Sequence, residues 1–108
     1  GNLSTLAVTS AHRHPLVPDI PTVAESGYPG FETDVWFALF APAGTAPEII
    51  RKIAEDSRTV LEEPQRRKML TDTGFEIVAS KPSEFAKYVQ AEAEKWRQVI
   101  ANAHIKME

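Results

Sequence analysis

The fold of this chain is decided by residues 33–61, which read TDVWFALFAPAGTAPEIIRKIAEDSRTVL. Residues 34–41 place apolar side chains on both alternating faces of an extended segment. A strand that is apolar on both faces is normally covered on both sides, as in an α/β sheet. A proline- and glycine-containing turn follows at residues 42–44, so the strand is predicted to end there and to lead into a helix.

The helix after this turn has a clear start signal. Thr45 and Glu48 have the spacing of a capping box, in which a hydroxyl and a carboxylate satisfy the first backbone N–H groups of a helix. Apolar residues then recur at helical spacing, which predicts an amphipathic helix over Pro47–Leu61. Strand, turn and helix form one α/β unit.

The remaining segments supply further elements of the same kind. Alternating residues predict a short strand at Leu3–Thr9, and a proline-rich loop then leads to one helical turn at Asp19–Gly27. Two more helices are predicted, one at 65–72 that ends at Gly74 and a longer one at Pro82–Ala103 with a single apolar stripe.

Composition places limits on what the chain can do. It has 108 residues, 25% charged residues, a formal net charge of −3 and no cysteine, which excludes disulfides, thiolate catalysis and zinc–thiolate sites. The acidic balance argues against nucleic acid as a partner. The length suits one small domain, but the chain opens at Gly1 directly on a strand-like segment, which indicates a piece of a longer protein.

Catalytic and metal-binding motifs are weak. His12 and His14 flank Arg13 in the first loop and could share a metal ion, but no further cluster of ligands lies nearby, which favours an ordinary surface loop. There is no GxSxG nucleophile motif and no phosphate-cradling glycine loop. No catalytic residue, no metal site and no cofactor is therefore predicted, and the pattern favours a protein that is not an enzyme.

Two hydroxyl residues at a strand end are the better candidates for a binding site. Thr9 and Ser10 come at the carboxyl end of the first predicted strand, where open α/β sheets present ligands with hydroxyl and N–H donors. The alternative is that these hydroxyls satisfy the backbone of the loop that follows. Asp34 could accept a hydrogen bond in a cleft or serve as a capping or solvated carboxylate.

The chain as a whole resembles a known family. The order of LAVTS at 6–10, LVPDIPTVAESG at 16–27, WFALFAPAGT at 36–45 and PSEF at 82–85 is similar to that of the Bug (TctC-type) receptors. These are periplasmic solute receptors of tripartite tricarboxylate transporters. The resemblance covers essentially the whole chain but only the C-terminal third of such a receptor.

This resemblance implies a fold and a function. The fold class would be α/β, a fragment of a type II periplasmic-binding-protein-like fold with few strands and three amphipathic helices. Residues 1–30 would end the second lobe, 31–41 would form a crossing strand, and 42–108 would form the C-terminal helical part. The complete receptor would close its lobes on a small carboxylate in the periplasm and deliver it to membrane transporter subunits.

Position in such a receptor predicts the ligand site. The predicted ligand-binding residues lie at the end of the first strand and on the crossing strand: Thr9, Ser10, Asp34, Trp36 and Phe37. Trp36 has an alternative role as a core residue, because a large aromatic residue on a two-faced apolar strand is commonly buried.

Two other classes of function compete with a receptor. The apolar strands and amphipathic helices could form a self-associating interaction module, and the isolated chain is predicted to be a homo-oligomer with Phe37, Leu39 and Phe40 in the contact. A small α/β hydrolase piece is the third class, and the missing nucleophile motif argues against it.

Overall fold

The structure is a computed structural model of the chain and describes residues 1–106. The described part contains three helices, α1 at Pro47–Glu62, α2 at Pro64–Asp72 and α3 at Pro82–Asn102. All three predicted helices are confirmed to within one residue at each end. Each begins with a proline in its first turn, where the missing N–H is not needed.

The chain divides into two compact units. One runs from Gly1 to Phe40 and the second begins at Ala41. The first unit consists of turns and extended segments, and the second contains the helices, with α1 in contact with both α2 and α3. The predicted helical part, 42–108, ends two residues outside the described part of the chain.

The start of α1 differs in detail from the prediction. Thr45 does not cap the helix: its hydroxyl donates to the carbonyl of Pro42 at 2.8 Å, and its N–H donates to the same oxygen at 3.2 Å. Both bonds close the turn around Gly44, whose φ of 83° requires a residue without a side chain. The N-cap position therefore falls to Ala46, which makes no side-chain capping bond.

Two helices end in the same hydrogen-bonded motif. After α2, Gly74 has a φ of 95° and donates to Thr71, while Phe75 donates to Leu70 at 3.1 Å. This is a Schellman motif, and it confirms the predicted left-handed position of Gly74. The end of α3 repeats the pattern with His104 at a φ of 52°, a conformation that costs more for a residue with a Cβ atom.

One side chain of α1 holds the segment that precedes α3. Arg58 donates to the carbonyl of Ala79 from Nε at 3.2 Å and from Nη2 at 2.9 Å. Ala79 has a φ of 46°, a strained conformation for a residue with a side chain. Glu84 then accepts a hydrogen bond from the N–H of Lys81 at 3.2 Å and helps to start α3.

The strands predicted at Leu3–Thr9 and Asp34–Phe40 do not form, and this is a correction to the sequence-based interpretation. The described residues contain no strand, only a single parallel bridge between Val8 and Thr22. A strand needs the hydrogen bonds of a neighbouring strand, and local sequence cannot provide them.

The described part of the chain buries no apolar side chain. Thr22 is the buried residue, at 1% exposure, whereas Leu3 and Val35 are 95% and 87% exposed. Proteins that fold alone bury most of their large apolar side chains. The exposed apolar side chains of this chain are therefore of the kind that normally forms a protein core. None of the helices between residues 1 and 106 is long and apolar enough to cross a membrane.

Candidate functional site

The candidate site is built around one parallel bridge in the first unit. The N–H of Val8 donates to the carbonyl of Pro21 at 2.9 Å, and the N–H of Val23 donates to the carbonyl of Val8 at 2.9 Å. The residue after Val8 extends this arrangement, because the carbonyl of Thr9 accepts the N–H of Thr33 at 3.0 Å. Three separate segments are therefore fixed to one another at Val8 and Thr9.

This arrangement brings three of the five predicted site residues together. The bond to Thr33 places Thr9 and Ser10 beside the segment that continues into Asp34. Thr9 and Asp34 are exposed. Ser10 is half-buried, and its hydroxyl donates to the carbonyl of His12 at 2.8 Å. The proton of Ser10 is thus used within its own loop, so Thr9 supplies the exposed hydroxyl next to the bridge.

The two aromatic candidates lie further along the extended segment. Trp36 is 38% exposed and Phe37 is 78% exposed. Their assignment to a ligand site stays a prediction from their position in the sequence.

Arg13 and Glu25 form a contact that the sequence analysis missed. Arg13 donates to the Glu25 carboxylate from Nε at 3.1 Å and from Nη2 at 2.8 Å, and its Nη1 donates to the carbonyl of Pro18 at 3.2 Å. Glu25 in turn forms a capping box with Thr22, whose N–H donates to Oε2 at 2.9 Å. The Thr-x-x-Glu spacing is a readable signal for that capping box, but nothing local indicates Arg13 as its partner.

The carboxylate of Glu25 is stabilised in its charged form. Hydrogen bonds from Arg13, and after them the N–H of Thr22, lower the pKa of Glu25 to about 2 from 4.5. The same contact raises the pKa of Arg13, with a smaller contribution from the charge of Asp19. Both side chains are 45% exposed, so solvent screens part of the attraction between them.

This pKa predicts how acid affects the first unit. Because the pKa of Glu25 is lower in the folded state, its stabilisation is complete above about pH 4.5 and is lost as the pH falls toward 2. A ¹³C titration of the Glu25 carboxyl in the labelled protein is expected to give a midpoint near pH 2, and Arg13→Met is expected to move it toward 4.5. An unchanged midpoint in Arg13→Met would contradict the assigned cause.

The chemistry available at the bridge suits an anion better than a metal ion. Residues 1–106 contain no group of three His, Asp or Glu side chains placed to hold a metal. Thr9 presents an exposed hydroxyl beside the bridge, a hydrogen-bond donor that a carboxylate accepts. Asp34, which follows the Thr33 partner of Thr9, is exposed and would suit a donor group of the ligand or a bridging water.

Structural comparison identifies the class of protein. The chain is similar to the periplasmic binding protein BugD, with a TM-score of 0.79 and 30% identity over 94% of this chain and 35% of that one. It is similar to R. palustris Rpa4515 with adipate, with a TM-score of 0.78 and 36% identity over 93% of this chain and 33% of that one. The chain therefore has the fold of part of a periplasmic binding protein.

Sequence comparison narrows the class to one family. The model of the tripartite tricarboxylate transporter family receptor (TctC) matches residues 1–105, so the chain belongs to this receptor family. Protein BugT of Bordetella pertussis is 32% identical over 99% of this chain and 33% of its own length. A UPF0065 protein from the tcbD-tcbE intergenic region of a Pseudomonas species is 33% identical over 88% of this chain and 29% of its own length.

These comparisons confirm the predicted family, the solute-binding class and the fold class. They also show that the chain spans about a third of the length of these two curated relatives. The ligand and the partners of this protein are therefore a matter for proposal.

Proposed function

We propose that this chain is the C-terminal part of a periplasmic receptor that binds a small carboxylate without catalysis and delivers it to a tripartite tricarboxylate-type transporter. The observation that carries the proposal is the receptor-family match over residues 1–105. The likeness to Rpa4515 with adipate supports a dicarboxylate as the ligand class. Residues 1–30 would end the second lobe, 31–41 would cross between lobes, and 42–108 would form the C-terminal helical part.

The first experiment tests the complete receptor, in which this chain is joined to the preceding two thirds. Isothermal titration with adipate and citrate is expected to show saturable binding of at least one of them, and uncharged hexanediol serves as the matched negative control. Binding of hexanediol as tight as that of adipate, or no binding of either carboxylate, would contradict a carboxylate receptor.

Replacing Thr9 tests the proposed site in the same protein. Thr9→Val removes the exposed hydroxyl next to the bridge and keeps the shape of the side chain. The loss of one hydrogen bond to a charged ligand costs about 1.5–3 kcal/mol, so adipate affinity is expected to fall by about 10- to 100-fold.

Thr5→Val is the matched control, because Thr5 is an exposed threonine of the same segment. It is expected to leave adipate affinity unchanged. Equal affinities in the Thr9 and Thr5 variants would remove Thr9 from the ligand site.

Exposed apolar surface favours a second candidate function, a self-associating interaction module. Phe37, Leu39 and Phe40 are 78%, 74% and 70% exposed. Large exposed apolar areas mark interaction surfaces or surfaces that the rest of a protein covers. We propose that the isolated chain is a homo-oligomer through these residues. Measurements on the complete receptor distinguish the two candidate functions, because a receptor is expected to be soluble and to bind a carboxylate.

A further inference from the structure

The further inference concerns the contact between Arg13 and Glu25, which we call the loop clamp. Arg13 uses three of its nitrogen atoms, two on the Glu25 carboxylate and one on the carbonyl of Pro18. A planar guanidinium that binds a carboxylate with two nitrogen atoms restricts both side chains in orientation as well as in distance. The clamp thereby closes the whole loop between residues 13 and 25.

The clamp continues into the backbone at Thr22. The Glu25 carboxylate accepts the N–H of Thr22 at 2.9 Å, and the hydroxyl of Thr22 accepts the N–H of Glu25 at 3.0 Å. Thr22 is 1% exposed and both bonds are partly buried, so water competes less for them than for the exposed ion pair. The exposed ion pair is thus attached to a buried backbone position.

Thr22 lies in the bridge that holds the candidate ligand site. The neighbours of Thr22, Pro21 and Val23, make the two hydrogen bonds to Val8 at 2.9 Å each. Val8 directly precedes Thr9 and Ser10. A chain of contacts therefore runs from Arg13 through Glu25 and Thr22 to the residue before the exposed hydroxyl.

We propose that Arg13 and Glu25 are positioning residues, which hold Thr9 and Ser10, next to the Val8–Thr22 bridge, in the geometry that binds the carboxylate ligand. The inference rests on the proposed function. A lone exposed ion pair contributes little to stability, but this one fixes a loop with several bonds at once. A segment that is already ordered loses less freedom when the ligand binds, so affinity is higher than for a loose loop.

The test measures backbone order and affinity in the complete receptor. Glu25→Gln keeps the shape of the side chain and removes its charge, and Arg13→Lys keeps the charge and removes the two-nitrogen geometry. Hydrogen exchange of the Val8 and Val23 amides is expected to be about tenfold faster in both variants, and adipate affinity is expected to fall by about five- to tenfold. A merely electrostatic role predicts instead that Arg13→Lys binds adipate like the unmodified receptor.

Glu94→Gln is the matched control, because it breaks an exposed glutamate–arginine pair with Arg97 on α3. It is expected to change neither exchange at Val8 nor adipate affinity. Unchanged exchange at Val8 and Val23 in the clamp variants would overturn the inference, as would faster exchange with unchanged adipate affinity. A receptor that binds no adipate contradicts the dicarboxylate proposal and not the loop clamp. In that case the exchange rate at Val8 alone tests whether the loop clamp orders this segment.

Discussion

The isolated chain, produced without the rest of the receptor, is expected to sediment as a dimer or a larger species whose average mass increases with concentration. The reason is the exposure of Phe37, Leu39 and Phe40, together with the absence of a buried apolar side chain within residues 1–106. Removing apolar surface from water contributes about 25 cal/mol per Å², so a second copy of the chain can stabilise the first by covering its exposed apolar side chains. Sedimentation velocity over a hundredfold range of concentration measures the average mass.

Substitutions locate the contact. Phe37→Ser combined with Phe40→Ser is expected to shift the distribution toward the monomer, because both changes remove exposed apolar area. Met69→Ser on α2 is the matched control, since Met69 is 61% exposed but lies outside this segment. A monomer with a cooperative thermal transition at every concentration would show that the chain closes a core of its own and would contradict the prediction.

The second large effect is expected at Arg58, whose guanidinium holds the carbonyl of Ala79 with two hydrogen bonds. Arg58→Ala in the complete receptor is expected to lower the free energy of unfolding by about 1–2 kcal/mol, because the contact is only partly buried and hydrogen bonds to charged groups contribute about 1.5–3 kcal/mol. Ala79 depends on this contact in particular, because its φ of 46° is unfavourable for alanine and needs support from its surroundings.

Urea denaturation of the variants measures this loss. Arg51→Ala is the matched control, because Arg51 lies on the same helix and is exposed. It is expected to change the free energy of unfolding by less than about 0.5 kcal/mol. Equal stability of the Arg58 and Arg51 variants would show that the contact with Ala79 contributes nothing and would contradict the prediction.

Local signals account for the parts of the fold that were predicted correctly. The helices α1, α2 and α3 follow from proline at their starts and apolar residues at helical spacing, and Gly74 follows from the need for a left-handed residue after α2. The first cap was predicted wrongly. The hydroxyl of Thr45 could bond either to the turn before it or to the first N–H groups of α1. In the structure it donates to the carbonyl of Pro42 and does not cap the helix.

By itself, the sequence determined the helices and their ends, the family, and the position of Thr9 at the end of an extended segment. Each of these depends on neighbours close in the chain or on a motif that can be read directly. Only the tertiary structure decided that Thr9 pairs with Thr33 and that Arg13 reaches Glu25, because these contacts join residues far apart in sequence. Tertiary structure also decides whether the predicted strands form, because a strand exists only where another segment shares its hydrogen bonds. Residues 1–106 provide a single bridge.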